Sequence, residues 1–474
     1  MPPFVALILW IVLLAGLLIL DPAREPRTSL ALWVPVIWMF IAGSRLPSQW
    51  LGGGMGQSAQ ALVEGNPLDR IIDLILIFLA IGILTSRSFK WRGLFSRNLA
   101  LMAFLSFALI STCWSDFPFV AFKRWFRDLG GYIVILVVLS DPRPEAAVRT
   151  VLRRLTYLLV PLSIVLDKYY PDLGRGFDPW TGVGLYQGVT TSKNMLGVAC
   201  LVSGLFLFWD TMTRWHERNQ WRTRRILALN AVFLAMTVLL LQTSQSTTSR
   251  ICLLLGCLVI AATRSKVFRR RPAFLKVLIP ASFGLYLILN FGFGLSGSMA
   301  QAVGKDPTLT DRTKIWAFLL GMHTNPIVGT GYQSFWLGSR LDQFWNNSGL
   351  GHINEAHNGY LEVYLELGLI GVLLLIGFLI AGYRRICRRL TASPSLAALG
   401  LATWLAIVFY NMSEAAFGGG LLYMMFLISA VSVPDRTRNR AESVAAIDNT
   451  GNRKRLRNLP LEVTGVRTAM WSEH

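Results

Sequence analysis

The chain has 474 residues, of which 53% are hydrophobic and only 15% charged, and its mean hydropathy is +0.48. These values exclude an ordinary soluble domain and indicate a polytopic membrane protein. The net charge of +20 would suggest nucleic-acid binding in a soluble protein. Here Lys and Arg cluster between apolar runs, and no module that reads a groove or stacks on bases is evident, so nucleic acid is not an expected partner.

Long apolar runs recur along the chain, and several approach the ~20 residues that a helix needs to cross a bilayer. We therefore predict an all-α fold with about 12–13 transmembrane helices. The opening run lacks a basic n-region and a small-residue cleavage site, so we interpret it as a retained span and not as a cleaved signal peptide. The thirteen predicted spans are 3–20, 29–44, 68–85, 98–113, 128–140, 150–166, 194–212, 226–242, 250–263, 275–293, 359–382, 395–412 and 417–433.

The positions of the basic residues set the predicted orientation. Most of the 46 Lys and Arg residues fall in the segments that lie on one side of the thirteen-span arrangement, and the positive-inside rule places that side in the cytoplasm. The amino terminus is then outside. We predict a membrane domain over 1–433 and a flexible, polar cytoplasmic tail over 434–474.

Three longer segments fall on the outer side: 114–127, 167–193 and 294–358. The last is the longest, and it precedes the final three predicted spans. Loops above ~12–15 residues in a compact protein are usually functional or disordered. Because this one carries many Trp, Phe and Leu side chains, we expect an ordered cap on the membrane surface.

Three cations lie at the outer ends of spans or in the predicted cap: Lys193, Arg250 and Arg312. Together they would suit a phosphate or pyrophosphate group, which arginine can bind through two parallel hydrogen bonds. Taken singly, each has a simpler explanation. Lys193 and Arg250 would be ordinary residues that reach from a helix end to the membrane surface, and Arg312 would form a surface ion pair with Asp311.

His357 lies at the start of an apolar helix, in the run EAHNGY. Imidazole changes charge near neutral pH, so a catalytic role in proton transfer is predicted. The alternative is a histidine that caps or orients the helix beginning near Asn358. The spacing of His352, Glu355 and His357 matches neither HExxH nor HxxEH, so no metal site is expected.

Other outer residues are candidate substrate contacts. Arg124 and Arg127 alternate with aromatic residues, which is typical of an interfacial amphipathic helix but would also suit an anionic lipid. Asn358 adjoins His357, and Glu414 lies in the outer turn between the last two spans, where it could be structural or could contact an acceptor hydroxyl.

The order of these motifs resembles the O-antigen ligase and polymerase superfamily of bacterial envelope glycosyltransferases. Within it, the chain is most similar to the exopolysaccharide polymerases (Wzy-type). An early piece, WLGGGMGQSAQALVEGNPLDR, also resembles the exopolysaccharide subgroup. The matching pieces across 113–371 are CWSDFPFVAFKR, GVTTSKNMLG, the Ser-Arg pair at 249–250, DRTKIWAFLLGMHTNPIVGTGYQSF and HNGYLEVYLELGLIG.

This resemblance implies a GT-C-like fold in the bacterial inner membrane, an active site facing the periplasm, and inverting transfer without a metal or other cofactor. The implied donor is a glycan on undecaprenyl diphosphate, whose anomeric carbon an acceptor hydroxyl attacks as the lipid diphosphate leaves. Carried onto this chain, the resemblance gives Arg250 and Arg312 as diphosphate ligands, Lys193 as a further phosphate contact, and His357 as general base or acceptor orienter.

The function expected from this resemblance is polymerisation of lipid-linked repeat units into exopolysaccharide. Two alternatives remain open: ligation of finished glycan to lipid A-core, and transport of a lipid-linked oligosaccharide. The expected partners are the lipid-linked oligosaccharide and membrane lipid, with chain-length regulators and export proteins as a family expectation.

Overall fold

The computed structural model is almost wholly helical, as the composition predicts. Residues Met1–Ser432 form one compact unit. The predicted tail, 434–474, lies outside the described residues, as does the first part of the predicted cap, 294–311. The structure describes residues 1–23, 29–52, 63, 65–87, 89–177, 182, 184–271, 273–293 and 312–433.

The α-helices are numbered in chain order. Three short 3-10 turns, Leu30–Leu32, Thr112–Trp114 and Trp215–Glu217, adjoin α2, α6 and α10. The helices are α1 (Pro3–Leu20), α2 (Trp33–Ala42), α3 (Pro47–Trp50), α4 (Pro67–Ser86), α5 (Trp91–Arg97), α6 (Leu99–Ser111), α7 (Pro118–Leu139), α8 (Pro144–Tyr169), α9 (Pro171–Gly174), α10 (Lys193–Arg214), α11 (Trp221–Thr243), α12 (Thr247–Arg264), α13 (Lys266–Arg270), α14 (Ala273–Phe293), α15 (Arg312–Gly321), α16 (Ser339–Asn347), α17 (Gly359–Ala392), α18 (Pro394–Tyr410) and α19 (Leu421–Ala430).

Each of the thirteen predicted spans overlaps one of these helices, and the fold is that of an all-α polytopic membrane protein. Within the described residues, α1, α10, α11, α12 and α17 are each long and apolar enough to cross a membrane. The pair α5–α6 could add a sixth span, but it is bent by 95° at Asn98. Several other helices are shorter than their predicted spans, so the count of 12–13 stays a prediction.

A two-stranded β-sheet lies within the predicted outer segment 167–193, where no strand is predicted. Its strands, β1 (Arg175–Phe177) and β2 (Gly184–Tyr186), pair antiparallel with Gly176 opposite Leu185. Three-residue strands are too short to give a recognisable alternating pattern, which explains why the sequence does not reveal them.

Asp210 ties three helices together in the interior. Its side chain is fully buried and accepts hydrogen bonds from Arg149 at 2.8 Å and Arg153 at 2.5 Å, both on α8. Arg214, one turn further along α10, and Asn230 on α11 also donate to it. A buried carboxylate without partners would be very unfavourable, so this network fixes how α8, α10 and α11 pack.

The second part of the predicted cap, residues 312–358, has a small apolar core of its own that rests against the start of α17. Ile315 and Leu319 on α15 and Leu341 and Phe344 on α16 are fully buried in it. Leu365 extends this core onto α17. The cap is therefore ordered over its described part, because it buries the aromatic and aliphatic residues that the sequence concentrates there.

Helix α17 is broken at Gly368, where φ is 62° and ψ is −164°. A neighbouring loop, 325–331, closes the break by backbone pairing. Thr330 and Gly331 donate N–H groups to the carbonyls of Leu365 and Glu366, at 3.1 and 2.8 Å, and two amides beyond the break, at 369 and 370, donate to carbonyls of the loop. Unpaired backbone groups are costly at membrane depth, so this pairing is what makes an interrupted helix tolerable.

We predict that Gly368→Ala destabilises the protein by about 1–3 kcal/mol, because its backbone conformation is nearly restricted to glycine. A Cβ there would also overlap the carbonyl group of Ile327. Thermal unfolding in detergent measures the effect. Gly377→Ala is the matched control on the same helix, since its Cβ would meet nothing within 4 Å. Equal melting temperatures for the two variants would contradict this interpretation of the break.

Candidate functional site

Four side chains from three parts of the chain meet at the amino-terminal end of α17. Glu414, which is only 5% exposed, pairs with Arg312 at 2.5 Å through one carboxylate oxygen. Its other oxygen lies 3.2 Å from Nδ1 of His357, and the same Nδ1 lies 2.9 Å from Glu355. We call these residues, Arg312, Glu355, His357 and Glu414, the charge cluster.

Local backbone features hold the charge cluster in place. His357 has a φ of 48°, a left-handed conformation that is uncommon outside glycine. Asn358 follows and caps α17, because its Oδ1 accepts from the N–H groups of Tyr360 and Leu361. The N–H of Gly359 lies 2.9 Å from both the Asn411 and the Glu414 carbonyl oxygens. The turn after α18 is thereby fixed against the start of α17.

The start of α10 also reaches the charge cluster. Asn194 donates to the second carboxylate oxygen of Glu414 at 2.9 Å. Lys193, the first residue of α10, precedes it directly, and Ser192 caps the helix by accepting from the N–H of Met195. Lys193, a predicted phosphate contact, thus directly precedes Asn194, which contacts the charge cluster.

The charges in the cluster shift the protonation of His357. Burial opposes the charged imidazolium, but the hydrogen bonds and negative charges of Glu355 and Glu414 outweigh burial and raise the pKa of His357 to about 10. Burial likewise opposes the charged form of Glu355, yet His357 and Arg312 hold its pKa below the usual range. At neutral pH His357 is therefore a cation between two carboxylates.

One ligand atom each from Glu355, His357 and Glu414 lies within 4.8 Å of the other two, a spacing that a metal ion could bridge. Arg312 already supplies a positive charge to Glu414 within this group, and His357 is protonated. The positive charge of Arg312 disfavours a divalent cation at Glu414, since like charges repel. His352 is the first residue of the HxxExH spacing. Its ring instead stacks on Trp345, with ring centres 4.7 Å apart.

The structure places the other predicted cations differently. Arg312 pairs with Glu414, whereas Asp311, its expected partner, lies outside the described residues. Arg250 is exposed, and its guanidinium donates to the carbonyls of Leu241 and Gln242 at the end of α11. This contact is what the simpler explanation, an ordinary arginine at a helix end, would give. The hydrogen bonds described for Arg250 do not join it to the charge cluster.

Arg124 and Arg127 contact protein groups in the structure. Arg124 donates to the carbonyl of Gln333 at 2.7 Å, and Arg127 lies 3.3 Å from the carboxylate of Asp128. Asp128 also accepts from the Tyr332 hydroxyl at 2.8 Å. These two arginines thus help to hold the loop that follows the 325–331 segment.

A cavity of about 260 Å³ lies beside the charge cluster, and Glu355 borders both. We call it the α17 cavity, because α17 supplies one wall. Its carboxyl groups come from Glu355, Glu362 and Glu366, and Arg124 is the one cation among its described lining residues. Its aromatic lining residues are Phe104, Tyr332, Trp336 and Phe417.

Sequence reasoning did not assign Glu355, Asn194 or Glu366 to the site. The proximity of Glu355 to His357 is visible in EAHNGY, and the spacing of Glu362 and Glu366 puts both carboxyl groups on one helix face. Asn194 gives no such signal, because its contact with Glu414 spans 220 positions and depends on how α10 packs.

Comparison with known proteins gives a family match in the later half of the chain and one similar curated protein. An O-antigen ligase family model matches residues 229–376, a stretch that includes Arg250, Arg312 and His357. The exopolysaccharide production protein ExoQ of Rhizobium meliloti (strain 1021) is 26% identical over 371 residues, which cover 74% of this chain and 80% of that protein. With the helical membrane fold, these matches show that the chain is similar to the O-antigen ligase and polymerase superfamily and to exopolysaccharide production proteins.

Proposed function

We propose that this membrane protein polymerises lipid-linked repeat units into exopolysaccharide, acting as an inverting, metal-independent glycosyltransferase at the periplasmic face of the inner membrane. The donor is a repeat unit on undecaprenyl diphosphate. The observation that carries the proposal is the charge cluster, in which a cationic His357 and Arg312 adjoin two carboxylates at the amino-terminal end of a broken helix. The family match and the similarity to an exopolysaccharide production protein support the substrate class.

In this proposal the diphosphate binds near Arg312 and the start of α10, where Lys193 and the positive end of the helix dipole favour an anion. Arg312 neutralises the charge that develops as the bond between the anomeric carbon and the phosphate oxygen breaks. Diphosphate is already a good leaving group, so positioning and electrostatics can suffice without a nucleotide. Arg250 donates to carbonyls at the end of α11, so it would contact the diphosphate only after those hydrogen bonds break.

The acceptor hydroxyl attacks the anomeric carbon from the opposite side and loses its proton. The raised pKa of His357 makes it a poor proton acceptor at neutral pH, which supports the orienting role for this residue over that of general base. We assign the proton to Glu355, a carboxylate that contacts His357 and borders the α17 cavity. The new glycosidic bond forms as lipid diphosphate departs.

Ligation is the second candidate, because the matched family model is described as O-antigen ligase. The same cluster could transfer a finished glycan to a different acceptor. Purified protein in nanodiscs, incubated with its lipid-linked repeat unit and EDTA, separates the two. A ladder of lengthening glycans supports polymerisation. Transfer only to an added lipid A-core acceptor would instead establish ligation, and no product from folded protein that binds the lipid would contradict both.

We predict that His357→Ala lowers polymer formation at least about 100-fold while the protein remains in the membrane, because the cation that neutralises Glu355 and Glu414 and orients the acceptor is lost. Only single lipid-linked units should accumulate, as gel analysis of extracted glycolipids will show. The matched control is His352→Ala, which removes a histidine of the same cap outside the cluster and should leave polymer length largely unchanged. Long polymer from His357→Ala would reject the assignment.

The pH dependence of stability gives a second prediction. His357 has a folded pKa of about 10 against an ordinary value of 6.5, so its contribution is fully present below pH 6.5 and is lost as pH rises towards 10. The difference in melting temperature between wild type and His357→Ala should therefore shrink steadily over this range. Glu355 acts in the opposite sense, and its contribution disappears as pH falls below its ordinary value of 4.5.

Melting temperatures measured in detergent at pH 6, 7, 8, 9 and 10 test this dependence. His352→Ala serves again as control, since its difference from wild type should vary little across the series. A wild-type advantage over His357→Ala that is constant, or that grows towards pH 10, would show that His357 is not held as a cation.

A further inference from the structure

Beside the charge cluster, the α17 cavity has a different chemical character. Its carboxyl groups, Glu355, Glu362 and Glu366, offer oxygen acceptors, and Arg124 is the one guanidinium among the described lining residues. Anions are disfavoured near several carboxyl groups, whereas hydroxyl donors bind well to carboxyl oxygens. The cavity thus suits a hydroxyl-rich ligand and not a diphosphate.

The carboxyl group of Glu362 and the backbone of Glu366 are held in position by hydrogen bonds. Glu362 accepts a hydrogen bond from the indole N–H of Trp336 at 2.8 Å and another from the backbone N–H of Ala356. The backbone carbonyl of Glu366 is pinned by Gly331, one of the residues that close the break in α17. Each carboxylate has about four lone-pair sites, so these bonds leave acceptor capacity for a ligand.

The size and the walls of the cavity narrow the choice of ligand further. A volume of about 260 Å³ is near the lower end of ligand pockets, roughly 300–1,000 Å³, and suits about one sugar residue. Trp336 and Phe417 supply aromatic walls, against which the apolar face of a sugar ring can pack. Because Glu355 borders both the cavity and the charge cluster, a hydroxyl bound to Glu355 would lie close to His357.

We propose that the α17 cavity binds the terminal sugar of the acceptor chain, an uncharged residue recognised through its hydroxyl groups by Glu362 and Glu366. The donor diphosphate is then confined to the side of Arg312. This inference rests on the proposed function and adds to it the location and the chemical class of the acceptor.

The test uses two probes that separate the sugar from the diphosphate. One is the free, neutral repeat-unit oligosaccharide released from its lipid, and the other is undecaprenyl diphosphate without sugar. Titration calorimetry on the full-length protein in nanodiscs measures the Kd for each probe. The wild-type protein should bind both at once, without competition.

Glu366→Gln replaces one acceptor oxygen by an amide donor and should weaken binding of the oligosaccharide at least about fivefold, with the Kd for undecaprenyl diphosphate unchanged. Val363→Phe provides an independent test, because it fills the cavity from α17 with an apolar ring and should have the same effect. Arg312→Gln should instead weaken binding of undecaprenyl diphosphate and leave the Kd for the oligosaccharide unchanged. Asp342→Asn, at an exposed acid on α16, should alter neither Kd.

Competition between the two probes would overturn the proposal, as would wild-type protein that fails to bind the oligosaccharide. A Kd for the oligosaccharide that is unchanged in both cavity variants, at melting temperatures that confirm folding, would also overturn it. These outcomes are independent of polymer synthesis. If the wild-type protein makes polymer and the cavity variants bind the oligosaccharide normally, this inference alone is rejected. If both probes bind separately but no glycan is transferred, the proposed function alone is rejected.

Discussion

The backbone pairing that closes the break in α17 is the constraint on which the site depends. A helix that ends within a membrane leaves carbonyl and N–H groups without partners, and each costs several kcal/mol if it stays unpaired. Loop 325–331 satisfies them on both sides of Gly368. The loop continues into Tyr332 and Gln333, which bond to Asp128 and so connect the break to α7. Glu362 and Glu366 lie just before the break and line the cavity, and the loop pairs with the backbone of Glu366 itself.

The electrostatics of the site follow from the same arrangement. The charge cluster balances two carboxylates against Arg312 and a protonated His357, so its polar groups are paired although most of them are shielded from water. The neighbouring cavity has mainly acceptor groups. Two chemically different ligands can therefore lie side by side without exchanging places, which is what a transfer between a diphosphate-linked donor and a hydroxyl acceptor needs.

Much of the fold could be predicted from the sequence. Apolar runs and basic segments indicated a helical, polytopic membrane protein, and a helix overlaps every predicted span. Helix ends were harder to predict, because Asn98 turns the chain by 95° inside an apolar stretch through side-chain bonds to Leu94 and Ser432. The two β-strands, Arg175–Phe177 and Gly184–Tyr186, were too short to be recognised.

The site was predicted unevenly for a physical reason. His357 and Arg312 stood out, because a titratable side chain at the start of an apolar helix suits proton transfer and an arginine in the predicted cap suits a diphosphate. Their partners could not be derived from the sequence. The Arg312–Glu414 pair spans 102 positions and depends on how α18 and α19 pack against the rest of the chain. The break at Gly368 was also missed, since glycine is common in membrane helices and its backbone angles are not encoded in a local pattern.

The contact of Gly359 with the turn after α18 has a mechanical consequence. Its single N–H lies within hydrogen-bonding distance of two carbonyls, and a Cβ would collide with the side chain of Asn411, so the two chain segments cannot slide past each other. His357 and Glu414 are then held at a fixed separation. A displacement of α15 would therefore change the distance between Arg312 and Glu414 but leave the distance between His357 and Glu414 as it is.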